Sequence, residues 1–303
     1  MTSDALSVSL VIPVYNCERY LTEAIDSVLC QDYPNIELIV LDDGSTDRSR
    51  AIIEQYSESL FVRDFHTNIG QAATLNKGWK MARGDILSYL SADDTLLPGA
   101  ISGAVEQIRA NPDVILFYGD YELMDSRSNT KKHVAAPDFS YEELVRDIVV
   151  QPGPGVFFRR QCFDKLGGWD VALRQIPDYE YWLRLSSLGL ILHVSATWAR
   201  FRIHEKSQSF HAATIEKSDE VINVLQRYFE GPNLPQRIMS LRSKSIAMAY
   251  IISARFHLRA GRASFFWQRL CQAIRQHPLI AFRVRAFRLV LDAVRHRMLL
   301  RYL

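Results

Sequence analysis

Short, almost wholly apolar runs alternate with segments of helical period through the first third of the chain. Ser7–Val14 (SVSLVIPV) is a short β-branched run ended by Pro13, and Ile36–Leu41 (IELIVL) is a second apolar run. Both read as buried strands. Cys17–Cys30, about Arg48–Ser57, and Ala72–Ala82 read as helices, the last closed by Arg83-Gly84 as a C-cap. A further apolar run (Ile86, Leu87, Tyr89, Leu90) stops at Ser91-Ala92-Asp93-Asp94, and a helix is possible over Leu97–Arg109. Strand, loop and helix repeating at this spacing predict βαβ units around a parallel sheet. The first half is therefore an α/β, doubly wound nucleotide-binding domain, with polar residues gathered at the carboxyl ends of its strands.

The middle of the chain is punctuated differently. Gln151–Arg160 is rich in Gly and Pro and leads into a strand, Gly167–Asp170 is a turn, and an amphipathic helix begins near Asp178. From Gly231 the pattern is helix after helix: Gln236–Leu258, Ala263–Gln276 and Leu279–Tyr302, broken at Gly261 and Pro278. This divides the chain at 230/231, into a catalytic-type domain and a helical extension.

Charge sharpens that division. The 303 residues, 48% hydrophobic and 23% charged, carry a net charge of only +2. From Gly231 onward, however, fourteen Arg or Lys face Asp292 alone, so the tail is +13 and the rest −11. Leu279, Phe282, Ala286, Leu289 and Ala293 recur at helical spacing, with Arg285, Arg288, Arg295 and Arg297 among them. A basic amphipathic helix suits an anionic membrane surface; packing on the catalytic domain with a solvated Arg face is the alternative. No recognised nucleic-acid module accompanies the arginines. No uncharged run approaches the roughly 18 residues that span a bilayer. Met1–Leu10 has neither a charged start nor a long apolar core, so no signal peptide is expected. Cys17, Cys30, Cys162 and Cys271 show no metal-type or disulfide spacing, which points to reduced thiols in a cytoplasmic setting.

The candidate chemistry lies at the strand ends. Neither Gly-x-Gly-x-x-Gly nor a P-loop follows the first strand. Instead these ends offer Tyr15, Asn16, Asp42, Asp43, Asp93 and Asp94, where an open α/β sheet binds its ligands. An aromatic face with a carboxylate can hold a base, and adjacent carboxylates need a cation to offset their repulsion. Mg²⁺ takes one or two carboxylates plus phosphate oxygens, so Asp93-Asp94 reads as a metal–diphosphate platform. Taken singly, Asp42 and Asp43 are turn or cap residues, and Asp94 could be an N-cap. Asn76 and Lys77 could face a nucleotide from their helix, or solvent.

Four motifs now stand in order: Val11-Ile12-Pro13-Val14-Tyr15-Asn16; Asp42-Asp43-Gly44-Ser45-Thr46-Asp47; Asn76-x-Gly78 with Gly84-Asp85; and Ala92-Asp93-Asp94. Together they resemble a family 2 glycosyltransferase over roughly Ser7–Ser209. The resemblance implies the GT-A nucleotide-diphospho-sugar transferase fold, a mostly parallel Rossmann-like sheet with flanking helices, here followed by the C-terminal helical extension. It also implies inverting transfer from a nucleoside-diphosphate sugar with Mg²⁺ or Mn²⁺. Pro13, Tyr15 and Asp43 resemble base-binding positions, Asp93 the ribose contact and Asp94 the metal ligand. Ser91 stands where many relatives have Asp.

An inverting displacement needs one carboxylate to accept the acceptor's proton. Asp178-Tyr179-Glu180-Tyr181-Trp182-Leu183-Arg184 resembles the family's acidic motif, which makes Asp178 the expected base and Glu180 the second choice, with Pro177 a departure. A cap at the helix start is the plainer role for Asp178. Arg202-x-His204, followed by Ser207 and Ser209, resembles the closing loop whose His reaches metal or diphosphate. The Gln-x-x-Arg-Trp motif of processive members is absent after Asp178. The expected enzyme performs single transfers, with a UDP-sugar as the first donor and a cell-envelope glycan or lipid-linked acceptor, peripherally at the cytoplasmic face of a membrane. Sugar nucleotidyl transfer, or a degenerate binding module, are the alternatives.

Overall fold

The structure, a computed structural model, describes residues 6–56, 58–59, 62–205, 213–232 and 234–299. It divides into two compact units, one of residues 1–139 with 151–207, the other of 140–150 with 208–303.

The first unit is organised on β1 (Val8–Val14), all seven residues of which are buried. Its apolar character, broken only at Ser9, is that of a strand covered on both faces. Helix α1 (Leu21–Leu29) lays Leu21, Ala24, Ile25 and Val28 on the core, the i, i+3, i+4, i+7 spacing of one helix face. It begins four residues later than the expected Cys17. The Cys17 and Glu18 amides bond the Ser49 hydroxyl and Asp47 carboxylate, 2.9 and 3.0 Å away, and hold this stretch as a turn. Then come β2 (Ile36–Asp42), α2 (Ser49–Gln55), β3 (Val62–Phe65), α3 (Gln71–Met81) and β4 (Ile86–Tyr89). β1 pairs in parallel with β2 on one side and β4 on the other.

The chain continues through β5 (Thr95–Leu96), α4 (Ala100–Ala110), β6 (Val114–Met124) and β7 (Thr130–Val134). After helix α5 (Tyr141–Asp147) of the second unit come β8 (Val156–Arg159), α6 (Arg160–Leu166), α7 (Pro177–Leu185) and β9 (Leu190–Arg202). The strands form one nine-stranded sheet in the order β3-β2-β1-β4-β8-β6-β9-β5, with β7 against β6. β8 runs antiparallel to both its neighbours, so the sheet is mixed but mostly parallel, as expected.

Two caps differ from expectation. α3 ends at Ala82 in extended backbone, not at Gly84. Gly84 serves close approach instead: a Cβ there would stand 2.6 Å from the Ser9 nitrogen. α4 is capped by Gly99 in the left-handed region (φ 79°), so Asp94 is not its N-cap. Gly78 has a comparable role inside α3, because a Cβ would meet Val11 Cγ1 at 2.4 Å and Cγ2 at 2.9 Å. Helix propensity favours Gly78→Ala by about 1 kcal/mol, whereas overpacking a core costs about 1–3 kcal/mol. Val11 is β-branched and fully buried in the central strand, so it has nowhere to turn. We expect a lower urea midpoint for Gly78→Ala; an unchanged or higher one refutes this packing account.

In the second unit, α5 joins α8 (Ile215–Glu230), α9 (Gln236–Met239), α10 (Arg242–Arg259), α11 (Ala263–Gln276) and α12 (Val284–Leu299). α10 is the central helix, burying Ile246, Ala247, Met248, Ala249, Ile251 and Ala254. The expected helix over 236–258 breaks at Ser240–Leu241, and the one from Leu279 is a 3-10 turn (Pro278–Phe282) followed by α12. Among the described residues no helix is long and apolar enough to cross a membrane. All four cysteines are free.

Candidate active site

The strand order reverses on either side of β1, since β2 and β3 lie to one flank and β4 to the other. Such a switch point opens a crevice at the carboxyl ends of the strands. Pro13 is buried in β1, and Tyr15, just beyond it, is 54% exposed and free to present its ring. Asn16 (φ 49°) is a clasp: its Oδ1 accepts from the Thr46 amide at 2.8 Å, and its own amide donates to Ser45 Oγ at 2.9 Å. Asp42 is buried and accepts from the Ser45 amide at 3.3 Å, which is turn chemistry. Asp43 is buried as well, with one oxygen on the Ile69 amide (2.6 Å) and the other on the Gly70 amide (2.9 Å). Both aspartates thus order the loops around this crevice. Asp43, expected to accept from a base, also accepts from the two amides of the loop before α3.

Asp93 and Asp94 follow β4, and their support comes from the far end of β9. Asp94 is buried, and its Oδ1 accepts from the Arg202 amide at 2.8 Å. Burial first, then the charge of Asp93, push its carboxyl well above the ordinary range. Arg202 is only 1% exposed, yet every direction of its guanidinium is used. Nε donates to the Asp93 carbonyl (2.7 Å), one terminal nitrogen to Ser128 Oγ (2.8 Å), and the other to Glu23 (2.6 Å). The group also lies over the Tyr20 ring at 4.4 Å. His204 packs against the same ring at 4.9 Å and brings Nε2 to 2.9 Å from Asp93 Oδ2. His204, the expected metal or diphosphate contact, thus stands against the acidic pair as a partner of Asp93. Among the described residues no group of three or more His, Cys, Asp or Glu could hold a metal ion. The Cys17 thiol, half-buried beside this pair, is pushed up to about 12 by burial and by Asp93, Asp47 and Asp94. Ser207 and Ser209 lie outside the described residues.

Asp178 occupies the first turn of α7, behind Pro177 at the helix start. Its Oδ1 accepts from the Tyr179 amide at 2.8 Å, and burial raises its carboxyl pKa. Glu180, the second choice for the base, accepts from Arg184 with both its oxygens at 2.7 Å. Arg184 in turn donates to the Leu166 and Gly168 carbonyls, which fixes α7 on the preceding turn. An aromatic cluster sets α7 against β4: Trp79 lies 6.1 Å from Tyr89, 5.3 Å from Phe158 and 5.9 Å from Tyr181 between ring centroids. The Tyr89 phenol is raised well above its ordinary pKa, by burial first and then by the charges of Asp178 and Asp94.

Asn76 does not face the crevice with a free amide. Its Oδ1 accepts from the Trp169 amide and its nitrogen donates to the Trp169 carbonyl, each at 2.8 Å. It ties α3 to the turn before α7. Lys77 pairs with Asp64. Sequence reasoning assigned no role to Arg202, Glu23, Tyr20 or Tyr89. The only available signal was the Arg-x-His spacing, since the other three read as ordinary helix and strand residues.

Comparison with known proteins agrees with this architecture. The family model described as "Glycosyl transferase family 2" matches residues 9–167. An uncharacterized glycosyltransferase of Rickettsia typhi is 34% identical over 230 residues, 73% of this chain and 69% of that protein. A Rickettsia felis relative is 32% identical over 73% of this chain but is covered over only 38% of its own length. Staphylococcus aureus TarS 1-349, solved with UDP-GlcNAc, superposes with a TM-score of 0.74 at 18% identity, over 96% of this chain and 90% of that one. The mannosyltransferase PcManGT of Pyrobaculum calidifontis, solved with GDP-Man and Mn²⁺, gives 0.62 at 16% identity, over 97% and 88%. At such identities these likenesses show the fold alone, which is that of GT-A glycosyltransferases. With the family model spanning more than half of the chain, the protein belongs to glycosyl transferase family 2.

Proposed function

We propose that this glycosyltransferase is a metal-dependent, inverting, hexosyl-type enzyme. It moves a sugar from a nucleoside-diphosphate sugar, a UDP-sugar first, to a hydroxyl of a cell-envelope glycan or lipid-linked acceptor. The observation that carries the reading is the acidic pair Asp93-Asp94 at the carboxyl end of β4, beside the switch point, with Asp94 buried and bonded to the Arg202 amide. A further carboxylate, Asp178, stands at a helix start. In this reading Pro13 and Tyr15 receive the base, Asp43 and Asn16 hold the loops that shape its pocket, and Asp93 meets the ribose. The acceptor hydroxyl attacks the anomeric carbon as the bond to the diphosphate oxygen breaks, and Asp178 takes the hydroxyl proton. Its raised pKa makes it a stronger base than an ordinary carboxylate.

The residues fit a hard divalent cation. Asp94 is a buried carboxylate with a second one beside it, and protein ligands alone do not complete a site. Mg²⁺ or Mn²⁺ with diphosphate oxygens and water would complete it. Bound there, the ion would stabilise charge on the departing diphosphate. The ligands in the two solved relatives, UDP-GlcNAc in one and GDP-Man with Mn²⁺ in the other, support a nucleotide-sugar donor and leave the nucleotide to be measured.

Titration calorimetry with UDP-, GDP- and dTDP-sugars, with and without Mn²⁺, tests this directly. We expect one donor to bind with metal dependence, and Asp94→Ala to weaken that binding at least about tenfold. Well-folded protein that binds no sugar nucleotide overturns the proposal.

A further inference from the structure

In the second unit the usual arrangement of charge and apolar surface is inverted along one segment. Between Leu279 and Phe287 the arginines turn inward. Arg283 pairs with the Asp147 carboxylate at 2.8 Å, and Arg285 donates to the Asp147 carbonyl at 2.9 Å and the Ile148 carbonyl at 3.3 Å. The apolar side chains turn outward. Phe282 is 84% exposed, and Leu279, Val284 and Phe287 are each more than 60% exposed. On neighbouring α11, Trp267 and Ile274, seven residues apart on one helix face, are exposed too. The expected apolar stripe is thereby divided. Ala286 and Ala293 pack into the unit, while Leu279 and Phe282 leave it. An exposed apolar patch of this kind marks an interaction surface. Arg275, Arg288 and Arg295 stand exposed around it, and the Arg297 side chain lies outside the described residues.

We infer that the turn and the start of α12, Leu279–Phe287, form a wedge that inserts into an anionic lipid surface. Its apolar side chains enter the acyl boundary, and the surrounding arginines meet the lipid phosphates. Charge selects this occupant. The tail has a single acid, Asp292, and Asp292 is held by Arg255 at 2.8 Å. A second copy docked through the same patch would bring a +13 segment against a +13 segment, whereas an anionic bilayer attracts each exposed arginine. Nucleic acid would neutralise the arginines but leave the apolar tips in water. Amphipathic elements that bind in the plane of a membrane combine these same two ingredients. The inference concerns the second unit and is independent of the catalytic reading.

The test is flotation of the full-length protein with vesicles of phosphatidylcholine alone, or with phosphatidylglycerol added. We expect binding to the anionic vesicles only, weakened by raised salt. Phe282→Ser with Phe287→Ser, both at exposed positions, should lower the partition at least about tenfold and leave circular dichroism and sugar-nucleotide binding unchanged. Arg275→Ala, Arg288→Ala and Arg295→Ala together should lower it comparably. Three results overturn the inference: no binding to anionic vesicles, equal binding by the double Phe variant, or a wild-type oligomer that the double variant dissociates. The last would assign the wedge to self-association. Retention of a duplex DNA in gel shift at vesicle-competing affinity would count against lipid as the occupant.

Discussion

Asp178→Asn should lower donor turnover by between about a hundredfold and ten-thousandfold, the range for losing a general base, with sugar-nucleotide binding intact. The same change should make the protein more stable. Burial raises the Asp178 pKa in the folded state, so the native protein holds this proton more tightly than the unfolded chain does. Stability from that source is full below the unfolded pKa and is lost as pH rises through the folded one. At neutral pH the ionised carboxylate is therefore a cost. Asparagine removes the charge and keeps an oxygen for the Tyr179 amide. We expect a gain of about 0.5–2 kcal/mol at pH 7.5, shrinking as the pH is lowered until the wild-type acid is itself protonated. Differential scanning fluorimetry across pH reads the stability, and released nucleoside diphosphate reads the turnover. A variant with near-wild-type turnover removes Asp178 as the base. One that melts earlier than wild type at neutral pH removes the burial argument.

Arg202→Met is expected to have the largest effect on stability. The substitution leaves the Asp93 carbonyl, the Ser128 hydroxyl and the Glu23 carboxylate without a donor that all three share. Glu23 is 39% exposed, so water takes up part of its loss, while the buried acceptors left without a donor cost about 1–3 kcal/mol each; the sum is on the order of 10 °C in melting temperature for a unit of this size. Arg202→Lys should recover little, since one ammonium cannot reproduce a planar fork with three destinations. Glu23→Gln keeps an acceptor and should cost much less. Donor affinity should fall in Arg202→Met even at temperatures where it is folded, because the backbone of Asp93 is no longer held. Wild-type melting and donor affinity in this variant would show that the guanidinium is incidental.

How much of this was legible in the sequence follows the range of each interaction. β1, β2 and α11 were readable almost to the residue, because continuous apolar runs and Gly or Pro breakers are local signals. The parallel pairing of β1 with β2 and β4, and the place of Tyr15, Asp42, Asp43, Asp93 and Asp94 at the carboxyl ends of these strands, followed from the βαβ repeat; the order of the later strands did not. What sequence could not show were pairings between distant residues. Asn76 meets Trp169 across 93 positions, and the Arg202 amide meets Asp94 across 108. Asp43 and His204 were expected to touch ligand, yet each has an intramolecular partner that no pattern announces. The tail failed for a related reason. Periodicity counts arginine as outward, but the carbonyls at the end of α5 draw Arg285 inward from 138 positions away. The break at Ser240–Leu241 had no Gly or Pro to mark it.

The clasps described above set rules for recombining this enzyme with its relatives. The family model ends at residue 167, a tempting crossover point for chimeras that graft one member's donor half onto another's acceptor half. A crossover there would part Asn76 from Trp169 and the Asp93-Asp94 turn from Arg202. Each pairing then depends on whether the incoming partner supplies the same group at the same place. In the proposed reading, the heritable unit of donor recognition is accordingly not the acidic pair with its strand, but that pair together with α1 and the last residues of β9.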